Sequence, residues 1–278
     1  MVISSEDCYA ICDWCFRGRI FCGKRLESDT VAAAGDAISY AQEHEEIRSV
    51  LFSGGDSFMA DKDHLVMMVR GMNKARHITS YRFGTRAMVH DPSTYAGMRR
   101  VFEAVAPDKT VYVVLHIVRL EEVTDELAAI TRRSEHVYLS QTPLLAGIND
   151  SPRLLADMFH RLEWARINPY YVFHYRATEG NEQFVMTLGQ GYRIVEAAKK
   201  RLSGVVKRFK YAMSCDEGKL EVVGLDGDDV LLKYHQARDK EDLGTVKRID
   251  ANAVWLVNGE PMYLSENSEY YMESDMVP

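Results

Sequence analysis

Three cysteines crowd into eight residues near the amino terminus: Cys8, Cys12 and Cys15 of CYAICDWCFRGRIF, spaced C-x3-C-x2-C. Three thiolates at this spacing can wrap a cubic iron–sulfur cluster and leave its fourth iron without a protein ligand, so that the open iron becomes a reaction site. The competing reading is a structural zinc knuckle, completed by Cys22 or by a histidine such as His44 or His64. Trp14 and Phe16 beside the thiols favour the cluster, because apolar cover shields a reduced cluster from water and oxygen. An odd total of five cysteines, three of them clustered, excludes a secreted disulfide framework.

Further residues with chemistry in them follow apolar runs. LFSGGDSF places Ser53, Gly54, Gly55 and Asp56 at the end of one, where two glycines let the backbone approach a ligand closely. The same tetrad is also what a simple turn capped by Asp56 would show. YRFGTRAMV sets Arg86 beyond another apolar run, where its guanidinium can grip a carboxylate in bidentate fashion or lie solvated. VYVVLHI ends in His116, and HVYLSQTPLLAGIND is read as ending its strand at Gln141; each is either a ligand contact or a satisfied polar residue.

The elements that must position these groups alternate. Strands are predicted near 2–4, 49–53, 80–84, 111–116, 136–141 and 170–175, and helices near 30–44, 63–74, 93–104, 123–133, 152–165 and 188–201. Six β-then-α units imply parallel strands joined by right-handed crossovers, and hence a partial (βα)6, TIM-like barrel. The cysteine loop, the GGD, Arg86, His116, Gln141 and FHYRATEGNEQF all fall at or after the carboxyl ends of these strands, the face where catalytic groups gather. The pattern changes after Ser203, so the barrel is assigned to 1–205 and a small β-rich extension with an acidic tail to 206–278. In the extension, KLEVVGLDGDDVLLK reads as a hairpin turning at Asp226-Gly227.

With 278 residues, 46% of them hydrophobic, the chain can bury a large core. A net charge of −7 without a long basic run argues against nucleic acid as a partner. No apolar stretch approaches a bilayer span and no leader pattern opens the chain, which predicts a cytoplasmic protein without a membrane partner.

In CYAICDWCFRGRIF, VLFSGGDSF, YRFGTRAMV, LHIVRLEEVTDE, SQTPLLAGIND and PYYVFHYRATEGNEQF, taken in that order, the chain resembles the radical S-adenosylmethionine superfamily, and within it the lysine 2,3-aminomutase group. The resemblance implies that Cys8, Cys12 and Cys15 hold a [4Fe-4S] cluster whose open iron chelates S-adenosylmethionine. Reductive cleavage then yields a 5′-deoxyadenosyl radical that abstracts hydrogen from a small substrate. It implies further that Gly54, Gly55 and Asp56 receive the methionyl amino end, Arg86 its carboxylate, and His116 and Gln141 the adenosyl moiety, with Ser53 a further cofactor-binding residue. An electron donor such as a flavodoxin or ferredoxin is the implied partner.

The departures bear on the substrate. Aminomutases of the group carry a glycine-run loop ending in the lysine that binds pyridoxal phosphate. Here the stretch is YAMSCDEGKLEVVG, with Lys219 in place and the glycines mostly missing. The basic residues expected upstream for the cofactor phosphate are missing too, so a pyridoxal-independent enzyme is favoured over a pyridoxal-dependent 2,3-aminomutase using Lys219. Arg176 stands where lysine-specific members have an aspartate, and an arginine there favours an anionic substrate. Cys215 is either a hydrogen-atom donor to a substrate radical or a small buried hydrophobe. Glu179, Asn181 and Glu182 are further polar candidates in a loop that is otherwise solvated.

Overall fold

The structure, a computed structural model, describes residues 1–15, 30–176, 178 and 180–264. Phe16, Cys22, Glu179 and the acidic stretch from 265 onward lie outside the described residues. The chain is mixed α/β and divides into two compact units. The first comprises 1–117, 122–140 and 164–168, and the second 118–121, 141–163 and 169–278.

In the first unit β1 (Val2–Ser5), β2 (Ser49–Gly54), β3 (Ser80–Thr85) and β4 (Thr110–His116) lie side by side, every neighbouring pair parallel. Parallel order is what the intervening helices dictate: α1 (Thr30–Glu43) follows β1, and α2 (Lys62–Met72) follows β2. Burial alternates strictly along β2 and β3, placing Val50 and Phe52, then Tyr81 and Phe83, on the covered face. Asp61 caps α2 by accepting from the His64 amide at 2.8 Å. The helices pack closely because a Cβ on Gly71 would meet Ile38 Cδ1 at 2.7 Å.

One predicted helix is broken. Where periodicity suggests a single element over 93–104, there are two short ones, α4 (Thr94–Gly97) and α5 (Arg99–Glu103), after a further short helix, α3 (Ala87–His90). The break falls at Met98, directly after Gly97, and glycine is a poor helix former; Met98 itself is fully buried. Next come α6 (Asp125–Arg133), capped by Thr124, and β5 (Val137–Leu144), which runs from the first unit into the second. The strand continues past its predicted end at Gln141 because the alternation of half-buried and buried positions holds through Leu144.

In the second unit α7 (Pro152–Trp164) lies before β6 (Ile167–His174), and α8 (Leu188–Lys199), opened by a Thr187–Gln190 capping box, lies after it. β6 pairs in parallel with β7 (Lys210–Cys215), a strand the sequence reading does not separate from the extension. From β7 the sheet turns antiparallel through β8 (Gly218–Asp226), β9 (Asp229–Ala237) and β10 (Val246–Asp250). The β8–β9 turn lies where predicted, with Gly227 at φ +61°. β11 (Trp255–Val257) and β12 (Glu260–Met262) form a separate antiparallel pair. Among the described residues no helix is long and apolar enough to cross a membrane.

Candidate active site at the cysteine loop

The cysteine loop leaves β1 and is at once pinned by the GGD. Gly55 donates its N–H to Ser5 O at 2.7 Å and Asp56 donates to Asp7 O at 2.8 Å. The glycines are obligatory for this approach. A Cβ on Gly54, which sits at φ +116°, would lie 2.4 Å from Ser5 O, and one on Gly55 would lie 2.4 Å from Asp7 O. Ser53 adds to the seam by accepting a hydrogen bond from Ser4 Oγ on its carbonyl at 3.1 Å. Gly55 and Asp56, expected to receive the methionyl amino end, thus hold the loop that carries the thiols.

Asp56 is buried, and its carboxylate is spent on backbone. Oδ1 accepts from Phe58 N at 2.9 Å; Oδ2 accepts from Arg86 N at 2.7 Å and Ala87 N at 2.6 Å. A carboxylate at the first turn of α3 satisfies donors that the short helix cannot satisfy itself. Ser57, fully buried, ties the same turn to β3 by donating from Oγ to Gly84 O at 2.8 Å.

Arg86 is therefore fixed at its backbone, and its guanidinium is fixed as well. Nη1 donates to His116 O at 3.0 Å and Nη2 pairs with Glu122 Oε1 at 2.8 Å, both side chains being largely buried. Its Nε is buried without a hydrogen-bond partner among the described residues. The Trp14 ring, from the cysteine loop, lies 5.3 Å from the guanidinium carbon, and Trp14 Nε1 donates to His116 Nε2 at 3.4 Å. Accepting at Nε2 requires a neutral imidazole. Burial, then the charges of Arg86 and His90, hold His116 down to about 3, so it stays neutral at physiological pH. Tyr9 of the same loop stacks on His90 with centroids 6.2 Å apart.

Of the thiols, Cys8 is exposed, while Cys12 and Cys15 are half-buried and share a turn in which Cys15 N donates to Cys12 O at 3.0 Å. Burial pushes the Cys12 thiol up, Arg86 pulls it back, and Cys15, Glu122 and Asp13 push it up again. A metal cation relieves that mutual repulsion of thiolates. The donor set suits an iron–sulfur cluster by type: three soft thiols on one loop, beside a buried guanidinium with an unused donor. As they stand, the side chains are not drawn together; among the described residues no three His, Cys, Asp or Glu groups are gathered to hold a metal ion.

The second unit holds the other predicted residues. Gln141 is half-buried within β5 rather than at its end. The QTPLLAGIND segment folds on buried Asn149, which donates to Val118 O and Pro143 O and accepts from Leu145 N. Arg176 and Cys215 follow or end the adjacent strands β6 and β7. Burial lowers the Arg176 guanidinium below its usual range, opposed by Asp216 and Cys215, and burial raises the Cys215 thiol, opposed by the amides of Glu217 and Gly218. Lys219 is half-buried, its Nζ 4.4 Å from the Tyr171 ring centroid and 5.4 Å from that of Phe173. Asn181 and Glu182 lie in the turn before α8, where Asn181 donates to Thr178 Oγ1 and Glu182 accepts from Gly180 N. Sequence reasoning missed Glu122 as a site residue; the signal was an acidic pair five and six residues after a strand-end histidine, in LHIVRLEE.

No family model matches the chain. Among curated proteins, it is 27% identical over 253 residues to an Aquifex aeolicus protein provisionally named L-lysine 2,3-aminomutase, covering 88% of this chain and 67% of that one. It is 26% identical over 242 residues to L-lysine 2,3-aminomutase of Methanococcus maripaludis, covering 84% and 55%. It is also 26% identical over 208 residues to glutamate 2,3-aminomutase of Clostridioides difficile, covering 72% and 48%. The chain spans about half the length of most of these relatives. Likeness to a solved 3-dehydroquinate dehydratase from Geobacillus kaustophilus, at a TM-score of 0.33 and 15% identity, carries no argument.

Proposed function

Because the chain belongs to the lysine 2,3-aminomutase-like group of radical S-adenosylmethionine enzymes, we propose that it cleaves S-adenosylmethionine reductively and turns the 5′-deoxyadenosyl radical on a small anionic metabolite, without pyridoxal phosphate. In this reading the parallel strands form a partial barrel. Cys8, Cys12 and Cys15 close around a [4Fe-4S] cluster, which when bound supplies the electron for sulfonium cleavage. The buried, unused Nε of Arg86, set beside the cysteine loop, is the observation that carries the reading: it is a charged donor in want of an anionic acceptor. A carboxylate oxygen there would satisfy it. Gly54, Gly55 and Asp56 keep the loop in place against this group, and His116, neutral, offers an apolar face to a nucleoside. The electron donor is a small redox protein of the flavodoxin or ferredoxin kind.

Arg176 selects the anionic group of the substrate, in keeping with a relative named for glutamate. Lys219 rests on aromatic rings rather than in a glycine-rich cofactor loop. The one glycine before Lys219 in that stretch, Gly218, answers a packing need, since its Cβ would lie 2.2 Å from Gln236 O. Anaerobic reconstitution followed by dithionite reduction with S-adenosylmethionine tests the proposal. Deoxyadenosine should form with the native chain and not with a Cys8→Ala, Cys12→Ala, Cys15→Ala triple variant. Deoxyadenosine from the triple variant, or a preparation holding zinc and no sulfide, would refute it. Borohydride reduction in the presence of pyridoxal phosphate should leave Lys219 unlabelled.

A further inference from the structure

Arg86 is held from two directions, and the residue that completes the hold has no assigned part. Its backbone is fixed by Asp56, and His116 O accepts from Nη1, but a carbonyl leaves the buried positive charge uncompensated. Glu122 supplies the compensation at 2.8 Å, from a side chain 15% exposed against one 12% exposed. With Nη1 and Nη2 so engaged, the guanidinium plane is fixed. Nε is a buried nitrogen left without a partner among the described residues, and the guanidinium carbon lies 5.3 Å from the Trp14 ring centroid. Trp14 in turn sits between Cys12 and Cys15, and its N–H ends on His116. Beside its direct electrostatic effect on the Cys12 thiol, Glu122 therefore reaches the Trp14 segment of the cysteine loop through the guanidinium.

We propose that Glu122 is a positioning residue that acts through Arg86, holding the guanidinium so that its Nε meets the carboxylate of S-adenosylmethionine while its charge orders the Trp14 segment of the cysteine loop. The inference rests on the reading that Arg86 receives that carboxylate. Losing Glu122 frees the guanidinium to turn toward solvent, which removes the Nε donor from the site and the cation from beside the indole.

The full-length chain, labelled with 5-fluorotryptophan and without metal, gives one fluorine resonance for each of its three tryptophans, and Trp14→Phe identifies the line of interest. Glu122→Ala should shift or broaden the Trp14 line and leave those of Trp164 and Trp255 in place; Glu122→Asp, which keeps the charge, should restore part of the native position. In the reconstituted enzyme Glu122→Ala should raise KM for S-adenosylmethionine by about tenfold, the size of one charge-assisted contact, with kcat within about twofold. Glu122→Gln, equal in volume, covers the case in which the alanine variant folds poorly. A Trp14 line unmoved in both variants, all three lines moving together in both, or kcat falling with KM unchanged would each overturn the assignment. A native chain that makes no deoxyadenosine while its Trp14 line still answers to Glu122 would instead remove the functional reading and leave the hold on the loop intact.

Discussion

Gly55→Ala isolates the seam on which the cysteine loop hangs. The added Cβ would lie 2.4 Å from Asp7 O and 2.8 Å from Asp7 C, both backbone atoms that no rotamer change can move. Restoring ordinary contact needs a retreat of roughly 1 Å, which carries the Gly55–Ser5 and Asp56–Asp7 hydrogen bonds, now 2.7 and 2.8 Å, beyond useful range. Two such bonds at about 1 kcal/mol each give a loss near 2 kcal/mol, limited because a surface loop can lift away rather than strain the core. For a chain of 278 residues that corresponds to a fall in Tm of about 3–4 °C. The functional loss should be larger, since lifting the loop separates Trp14 from Arg86 and the thiols from one another. The assay is iron and sulfide per chain after anaerobic reconstitution, alongside thermal melts. Gly35→Ala in α1 is the control, because nothing lies within 4 Å of its Cβ; it should hold native iron and melt no lower. A Gly55→Ala chain with native iron content and native Tm would refute the claim that close backbone approach sets the loop.

Other perturbations test the surroundings. Asp56→Asn points an amide at backbone donors now served by a carboxylate, and should cost about 1–3 kcal/mol in urea unfolding; an unchanged midpoint would contradict it. His174, buried, bonds to Tyr211 Oη through Nδ1 at 2.6 Å and to Val254 O through Nε2 at 2.9 Å, and burial holds it down to about 4. Its folded pKa lies below the unfolded 6.5, so its contribution is complete above pH 6.5 and is lost as pH falls toward 4, by about 3 kcal/mol in all. Stability measured at pH 7, 5 and 4 should fall less steeply in His174→Gln than in the native chain; parallel slopes would refute the linkage. Gly191→Ala sets a Cβ 1.9 Å from Tyr211 Oη and should destabilise by about 1–3 kcal/mol, with much of the loss recovered when Tyr211→Phe removes that oxygen.

The six leading strands were legible because each is a short apolar run closed by a polar or glycine signal, and β1 to β4 and β6 begin within three residues of their predicted starts. β7 escaped because Lys210–Cys215 carries no turn residue that sets it off from the loop before it, and its partner β6 is distant in sequence. The stretch 93–104 reads as one helix because its apolar periodicity runs on through Gly97 and Met98, where the structure divides it. At the site, residue types were readable and their partners were not. Asp56 looked like a ligand contact or a local cap, yet it serves Arg86 N, thirty residues away. Glu122 carries no signal of its own in the sequence beyond the acidic pair it belongs to, yet the fold sets it against a buried guanidinium. Spacing along the chain reports which groups sit at strand ends, whereas charge pairing across strand ends depends on register, which spacing does not encode.

The seam between the GGD and residues 5–7 joins main chain to main chain. The Asp7 side chain contributes little to where Cys8 begins, so a library randomised at Asp7 should return many functional members, while Gly54 and Gly55 should accept almost no replacement. Evolutionary drift would follow the same rule, retuning the outer surface beside the first thiol without displacing the sulfur.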